Sequence, residues 1–408
     1  MVTIRRGKHF HLKRELTLFN VVIAGIGIIL GAGIYVLIGL AAGETGNTIW
    51  LSFLITSIVA AFTGLSYAEL SSIFKGDGGE YDYCKASFGR RLAVLVSLLI
   101  IASGLVSAAA VALGFAGYLS SMIPLSYLFS AILVIILMTF INYYGIKDSN
   151  RFNLIATFVE LAGLVVIIAL GFGHWGDADL LEMPNGFYGV LKAGALVFFA
   201  FLGFETIIKL REETKNPQKT IPWAILISIV VTTLLYILVS MSAVNILPAS
   251  QLASSKSPLA DVAASVFGNP AFIILGIIAL FSTSNTVLLT MLTTSRMAYG
   301  MAEEGSLPKW FSIIGKKRRT PYVAVLASGF IAFLFVLIKD IGFVADLTTA
   351  LLFITFALVN VSAIVLRYKD GRERKFKMPV NIGRFPVLAL LGVITSLIMF
   401  VFSLINLL

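Results

Sequence analysis

Three groups of residues in this 408-residue chain have the types and spacing to do chemistry. The first is a pair of backbone weak points. Gly31 and Gly33 flank Ala32 in IILGAGIYVL (28–37), and Gly203 interrupts ALVFFAFLGFETIIKL (195–210). Each interior glycine costs a helix about 1 kcal/mol relative to alanine. A helix broken at Gly31–Gly33 would free N–H groups at the start of its second half, donors that attract a carboxylate. The carbonyls of Ile29, Phe199, Ala200 and Leu202 would lose helical partners and suit an ammonium group. The second group is two carboxyls inside apolar runs, Glu205 in the same stretch and Glu160 in LIATFVELAGLVV. The third is Ser282 and Ser284 in FSTSN, hydroxyl oxygens that with Glu160 would serve a small cation.

The elements that must position these residues follow from composition. The chain is 58% hydrophobic and 13% charged, with a mean hydropathy of +0.96. A bilayer-spanning helix needs about 20 mostly apolar residues. Eleven such runs are present, at 17–43, 48–74, 92–122, 127–146, 152–173, 187–208, 222–247, 268–300, 322–339, 343–367 and 385–407. The pattern predicts an all-α integral membrane protein with short loops and no separate soluble domain. The first run is too long for a signal peptide, so the N-terminus is expected to stay on the protein. Cys84 is the only cysteine, which excludes an intrachain disulfide. His9 and His11 have no third ligand nearby and read as solvated tail residues.

The basic residues orient the spans. With a cytoplasmic N-terminus, 28 of the 31 Lys and Arg fall in inner loops, and only Lys192, Lys256 and Lys339 lie outside. That asymmetry follows the positive-inside rule. The net charge of +10 therefore reports topology and calls for no nucleic-acid partner. An odd number of spans places Leu408 outside, and the cell membrane is the expected location.

Ala32 lies about 13 residues from the inner end of the first span, or ~20 Å along a helix. Unpaired backbone at that depth is tolerated only in buried or cavity-lining positions. Close helix packing through small residues would serve the Gly-Ala-Gly triplet equally well. The second interruption, in span six, favours the broken helix. Spans one and six correspond if the protein consists of two five-helix halves of opposite orientation, and paired interrupted segments in such halves point to the central site of a secondary transporter.

Here the chain resembles the amino acid–polyamine–organocation transporter superfamily. The stretches that carry the resemblance are GAGI (31–34), YAELSSIFKGDGGEYDYCKASFG (67–89), NYYGIKDSNRFN (142–153), FAFLGFETIIKLREETKNPQKTIPWAI (199–225) and SRMAYGMAEEGSLPKWF (295–311). The resemblance implies the leucine-transporter type of fold, a 5+5 inverted repeat with discontinuous helices one and six. Its divisions here would be a cytoplasmic tail (1–15), a first repeat (16–173), a second (187–367), and a cytoplasmic loop with an eleventh helix (368–408). It also implies an amino acid permease working by alternating access. Positions matching Ile29, Gly31, Ala32, Gly33, Phe199, Ala200, Leu202, Gly203 and Glu205 would form the substrate site, with Phe199 similar to the aromatic that closes over the substrate.

One departure from the family bears on the energy source. Many members carry a lysine in the middle of helix five, in the place of a bound sodium ion; the matching residue here is Glu160. It lies nine residues past Arg151, ~13 Å deep. Desolvation there favours the neutral carboxyl, which would take up a proton near neutral pH. Proton-coupled symport is therefore expected. The alternatives are a sodium site built from Glu160, Ser282 and Ser284, an exchanger of amino acids or polyamines, or a Glu160 that is permanently paired.

Other features carry plainer readings. Glu69, near the inner end of helix two, is expected to pair with a loop Lys or Arg. Asp346 is expected to be solvated at the start of helix ten. GKKRRT (315–320) reads as topology and contact with anionic membrane lipid. Ser103, Gly104, Ser107, Asn285 and Thr348–Thr349 are candidates for a neutral side-chain pocket. No HExxH, GxSxG or His/Asp metal set is present, so neither an enzyme of those types nor a metal or cofactor is expected. Repeated pore loops and charged rings of the channel type are also missing.

Overall fold

The computed structural model describes residues 14–74, 78–145, 149–315 and 318–408, with the side chains of 149–154 outside that description. His9, His11, Lys75, Lys147, Lys316 and Lys317 lie outside the described residues.

The apolar runs form helices, and each interruption anticipated from glycine appears as a break. Helix α1 (Leu18–Leu30) stops at Gly31, and α2 (Gly33–Thr45) resumes after Ala32. They are followed by α3 (Ile49–Ile73), a short loop helix α4 (Gly79–Phe88), α5 (Arg90–Met122), α6 (Tyr127–Tyr144) and α7 (Ser149–Gly171). The sixth apolar run is not one helix. It comprises α8 (Gly186–Val197), a 3-10 turn over Phe198–Phe201, a break at Leu202–Gly203, and a ten-residue 3-10 segment, Phe204–Glu213. Next come α9 (Pro217–Ile246), two short helices α10 (Ala249–Ser254) and α11 (Pro258–Phe267), then α12 (Asn269–Glu303), α13 (Tyr322–Val336), α14 (Ile341–Lys369) and α15 (Val387–Leu407). A two-residue hairpin, β1 (Asn381–Ile382) with β2 (Phe385–Pro386), leads into α15.

Among the described residues, nine helical segments are long and apolar enough to cross a membrane, the first of them running continuously from α2 through α3, Gly33–Ile73. Helices α1 and α13 are the shorter apolar pieces of the first and ninth runs. Helix also forms between the apolar runs, as α4, α10 and α11. The seventh helix begins before its apolar run does: α9 opens on Pro217, a residue suited to the first helical turn because its missing N–H has no partner there.

Packing places the two broken runs centrally. Helix α3 runs along α9, α12 along α5, and α14 lies against both α5 and α15. Between the breaks and one end of the bundle sits an aromatic cluster in which Tyr67, Phe198, Phe204, Phe353 and Phe356 are fully buried and in ring contact.

Candidate functional site

The breaks in the first and sixth runs lie against each other, and each glycine admits the other run's backbone. A methyl group at Gly33 would stand 2.6 Å from Ala200 Cα, and one at Gly203 would stand 2.8 Å from the Ile28 carbonyl oxygen. Gly203 also has φ of 116°, a conformation that costs other L-residues roughly 1–2 kcal/mol. The sequence thus needs glycine at both points for contact as well as for flexibility. Ile29, Ala32, Gly33, Phe199 and Ala200 are buried at this junction, while Gly31, Leu202, Gly203 and Glu205 are half-buried. All nine predicted residues therefore come together.

Two side chains from other helices serve the broken backbone. The Thr286 hydroxyl of α12 accepts the Ala32 N–H at 3.1 Å and donates to the Ser282 carbonyl at 3.0 Å. The Tyr236 hydroxyl of α9 lies 2.8 Å from the Ala200 carbonyl, 3.0 Å from Ile29 and 3.3 Å from Leu30. The freed carbonyls of Ile29 and Ala200, read from sequence as open acceptors, therefore already share a donor. One O–H donates fully to only one acceptor at a time, so three carbonyl oxygens compete for a single proton. Phe199 is different: its carbonyl accepts the Leu202 N–H at 3.3 Å and closes the 3-10 turn.

Glu205 is drawn into the break itself. Its Oε2 accepts the Gly203 N–H at 2.9 Å, so the carboxylate caps the 3-10 segment Phe204–Glu213. The short polar side chains expected to line a pocket are differently engaged. Ser103 donates back to Ile100, and Gly104 admits Thr294 of α12, whose hydroxyl would lie 2.3 Å from an added methyl. Thr348 bonds its own helix, whereas Thr349 meets Ser403 of α15 at 3.1 Å. Ser107 and Asn285 are buried.

Glu160 sits in α7, 1% exposed. Its backbone carbonyl accepts from Tyr35 of α2 at 2.7 Å, which ties α7 to the second half of the first run. Its side chain faces Ser282 of α12. Glu160 Oε1 and Ser282 Oγ are nonetheless both buried with no partner at ordinary hydrogen-bond geometry among the described residues. Ser284 does not join them. Two residues along a helix is a turn of about 200°, so Ser284 projects from the opposite side of α12, half-buried. The hydroxyl on the Ser282 face is that of Thr286, one turn on.

Glu69 pairs as expected, with Arg367 at the end of α14. Both guanidinium contacts are 2.5 Å, Arg374 approaches to 3.1 Å, and the Met378 N–H donates at 2.9 Å. Asp346 overturns its reading. It is buried, accepting from Asn406 of α15 at 2.9 Å, because the last turn of α15 covers what sequence alone leaves at a helix start. A surface cleft of about 790 Å³ is lined by Gly43, Asn47, Glu182 and Asn245, among others, and includes none of the break residues.

Two interrupted helices in contact, within a bundle of helices long and apolar enough to cross a membrane, are the features of a multispan membrane transporter. A profile of the amino acid permease family matches residues 16–407, and the chain belongs to that family, within the amino acid–polyamine–organocation superfamily. It is similar to the branched-chain amino acid permease of Bacillus subtilis (strain 168), 32% identical over 403 residues covering 93% of this chain and 86% of that protein. It is 28% identical to the methylthioribose transporter of the same organism, over 92% of this chain and 86% of that one. It is 30% identical to the vacuolar cationic amino acid transporter 4 of Arabidopsis thaliana, over 89% of this chain and 64% of that protein.

Proposed function

We propose that this permease carries a neutral amino acid across the cell membrane by alternating access, with Glu160 binding and releasing the coupling proton. The observation that carries the substrate reading is the donor deficit at the breaks. An α-ammonium brings three N–H donors to the carbonyls of Ile29, Leu30 and Ala200, which otherwise share the Tyr236 hydroxyl. The first-turn N–H groups of α2, at Gly33, Ile34 and Tyr35, have no intrahelical acceptor and face the α-carboxylate. A neutral side chain is favoured because Glu205, the acid at the breaks themselves, is committed to the Gly203 N–H, and the proposal gives Glu160 to the proton. The name of the branched-chain relative agrees with that choice.

The mechanism rests on two inverted five-helix halves, 16–173 and 187–367. The packing supports this reading, since exchanging each span for the one five later maps contacts onto contacts. Span two (α3) packs on span seven (α9), three (α5) on eight (α12), and four (α6) on nine (α13). The contact of five (α7) with eight (α12) likewise has its counterpart in that of ten (α14) with three (α5). In this account the N-terminus and the Lys/Arg-rich loops are cytoplasmic and Leu408 is outside.

Uptake of radiolabelled amino acids into proteoliposomes tests the proposal. Saturable leucine or alanine uptake driven by an inward proton gradient is expected. Saturable lysine uptake without neutral uptake would overturn the neutral assignment, and a strict sodium requirement would move the coupling role to a cation held by Glu160 and Ser282.

A further inference from the structure

A second built site lies away from the transport path, where α14 ends and the hairpin leads into α15. A cavity of about 360 Å³ is lined by Arg367, Tyr368, Asp370, Gly371, Arg374, Lys377 and Arg384, a volume within the range of small-ligand pockets. Its charge does not balance. Glu69 is shared by Arg367 and Arg374, and Asp370 is taken by Arg372 at 2.5 Å. Lys377 and Arg384 are exposed, and neither makes an ion pair among the described residues.

The walls are fixed. Arg367 donates to the Asn381 side-chain oxygen at 2.9 Å, Asn381 donates to the Met378 carbonyl, and Arg374 reaches back to the Leu366 carbonyl at 2.7 Å. Val380 is held at φ of 58°, an outlier for a β-branched residue that persists only when its surroundings over-determine it. The rim beside this polar pocket is apolar and faces outward: Val380 is 60% exposed, Ile382 74% and Tyr368 58%. Trp223, stacked edge-on to Phe376 and exposed, adds the aromatic common at bilayer interfaces. Both flanking helices are among the membrane-span candidates, which sets the pocket at headgroup depth.

We propose that this pocket binds the phosphate of an anionic phospholipid headgroup, with Lys377 and Arg384 as its direct contacts and with Val380, Ile382 and Tyr368 lying in the adjoining bilayer. The shared chemistry, a phosphate anion between cations, would also suit free phosphate. The apolar rim selects the lipid.

The test compares full-length protein in nanodiscs of phosphatidylcholine with and without phosphatidylglycerol. Melting temperature and bound phosphatidylglycerol, the latter by native mass spectrometry, are read for wild type, for Lys377→Gln/Arg384→Gln, and for Lys219→Gln/Lys309→Gln, which removes two exposed cations elsewhere. Phosphatidylglycerol should raise the melting temperature of wild type and of the second variant, and the pocket variant should lose that gain and one tightly bound lipid. Three results would overturn the proposal: no gain in wild type, an equal loss in both variants, or a full gain in the pocket variant. Stabilisation of detergent-purified wild type by inorganic phosphate as strong as that by the lipid would reassign the pocket to a soluble anion.

Discussion

Glu69 and Glu160 are both 1% exposed, yet the chain treats them in opposite ways. Glu69 receives two guanidinium groups and a backbone N–H, so its charge is matched on every side and it clamps α3 to the end of α14. Among the described residues Glu160 has one oxygen without a partner, beside a serine hydroxyl in the same condition. Burying an ion is tolerable when hydrogen bonds and counter-charges replace water. A saturated carboxylate is therefore a fixed part of the scaffold. An unsaturated one, lodged between α7 and α12, is what the proposed coupling site requires.

Removing the clamp should give the largest effect. Glu69→Ala leaves Arg367 as an uncompensated buried cation, a loss of roughly 3–5 kcal/mol. The variant should be lost as aggregate in fluorescence-detected size-exclusion chromatography, and a monodisperse peak with unchanged melting would show that the pair is not structural.

Next comes the shared donor at the breaks. Tyr236→Phe keeps the ring, which contacts Phe53 and Phe201, and removes the one hydroxyl that three carbonyls share. Buried acceptors left unmade cost about 1–3 kcal/mol, so the substrate-free protein should melt lower while saturating amino acid restores more of the loss than it adds to wild type. Equal ligand-induced shifts in the two proteins would separate the carbonyls from substrate binding.

What could be read from the sequence divides along a similar line. The breaks at Gly31–Gly33 and Gly203 were legible because a glycine in an apolar run is a local anomaly. The pairing of Glu69 was legible in kind, since a buried acid near a basic loop needs a cation, but Arg367 is 298 positions away and only the fold selects it. Tyr236 carried no signal, being one of 13 tyrosines, placed by α9 rather than by any motif near the breaks. Ser284 does not share the face of Ser282 whereas Thr286 does, because helical spacing selects the residue four positions on. Asp346 was misjudged because its cover comes from the last helix.

A smaller effect concerns Glu80 of the loop helix α4, whose carboxyl accepts from Tyr67 at 2.9 Å. Burial, only partly offset by Lys209, raises its pKa above the usual carboxylate value. An acid raised on folding binds its proton more tightly in the folded state, so its contribution is full below about pH 4 and is lost as pH rises through the folded value. Glu80→Gln, which still accepts from Tyr67, should match wild type in melting temperature at low pH and exceed it slightly at pH 8. A variant less stable at pH 8 than at low pH, to the same degree as wild type, would put the pH dependence elsewhere.

The contrast between the two carboxyls stands or falls on Glu160. Glu160→Gln fixes the side chain in a form resembling the protonated acid. Counterflow exchange and pH-gradient-driven uptake measured side by side in proteoliposomes should show exchange retained and the response to the gradient lost. Uptake in Glu160→Gln that still follows the imposed pH gradient would contradict the account.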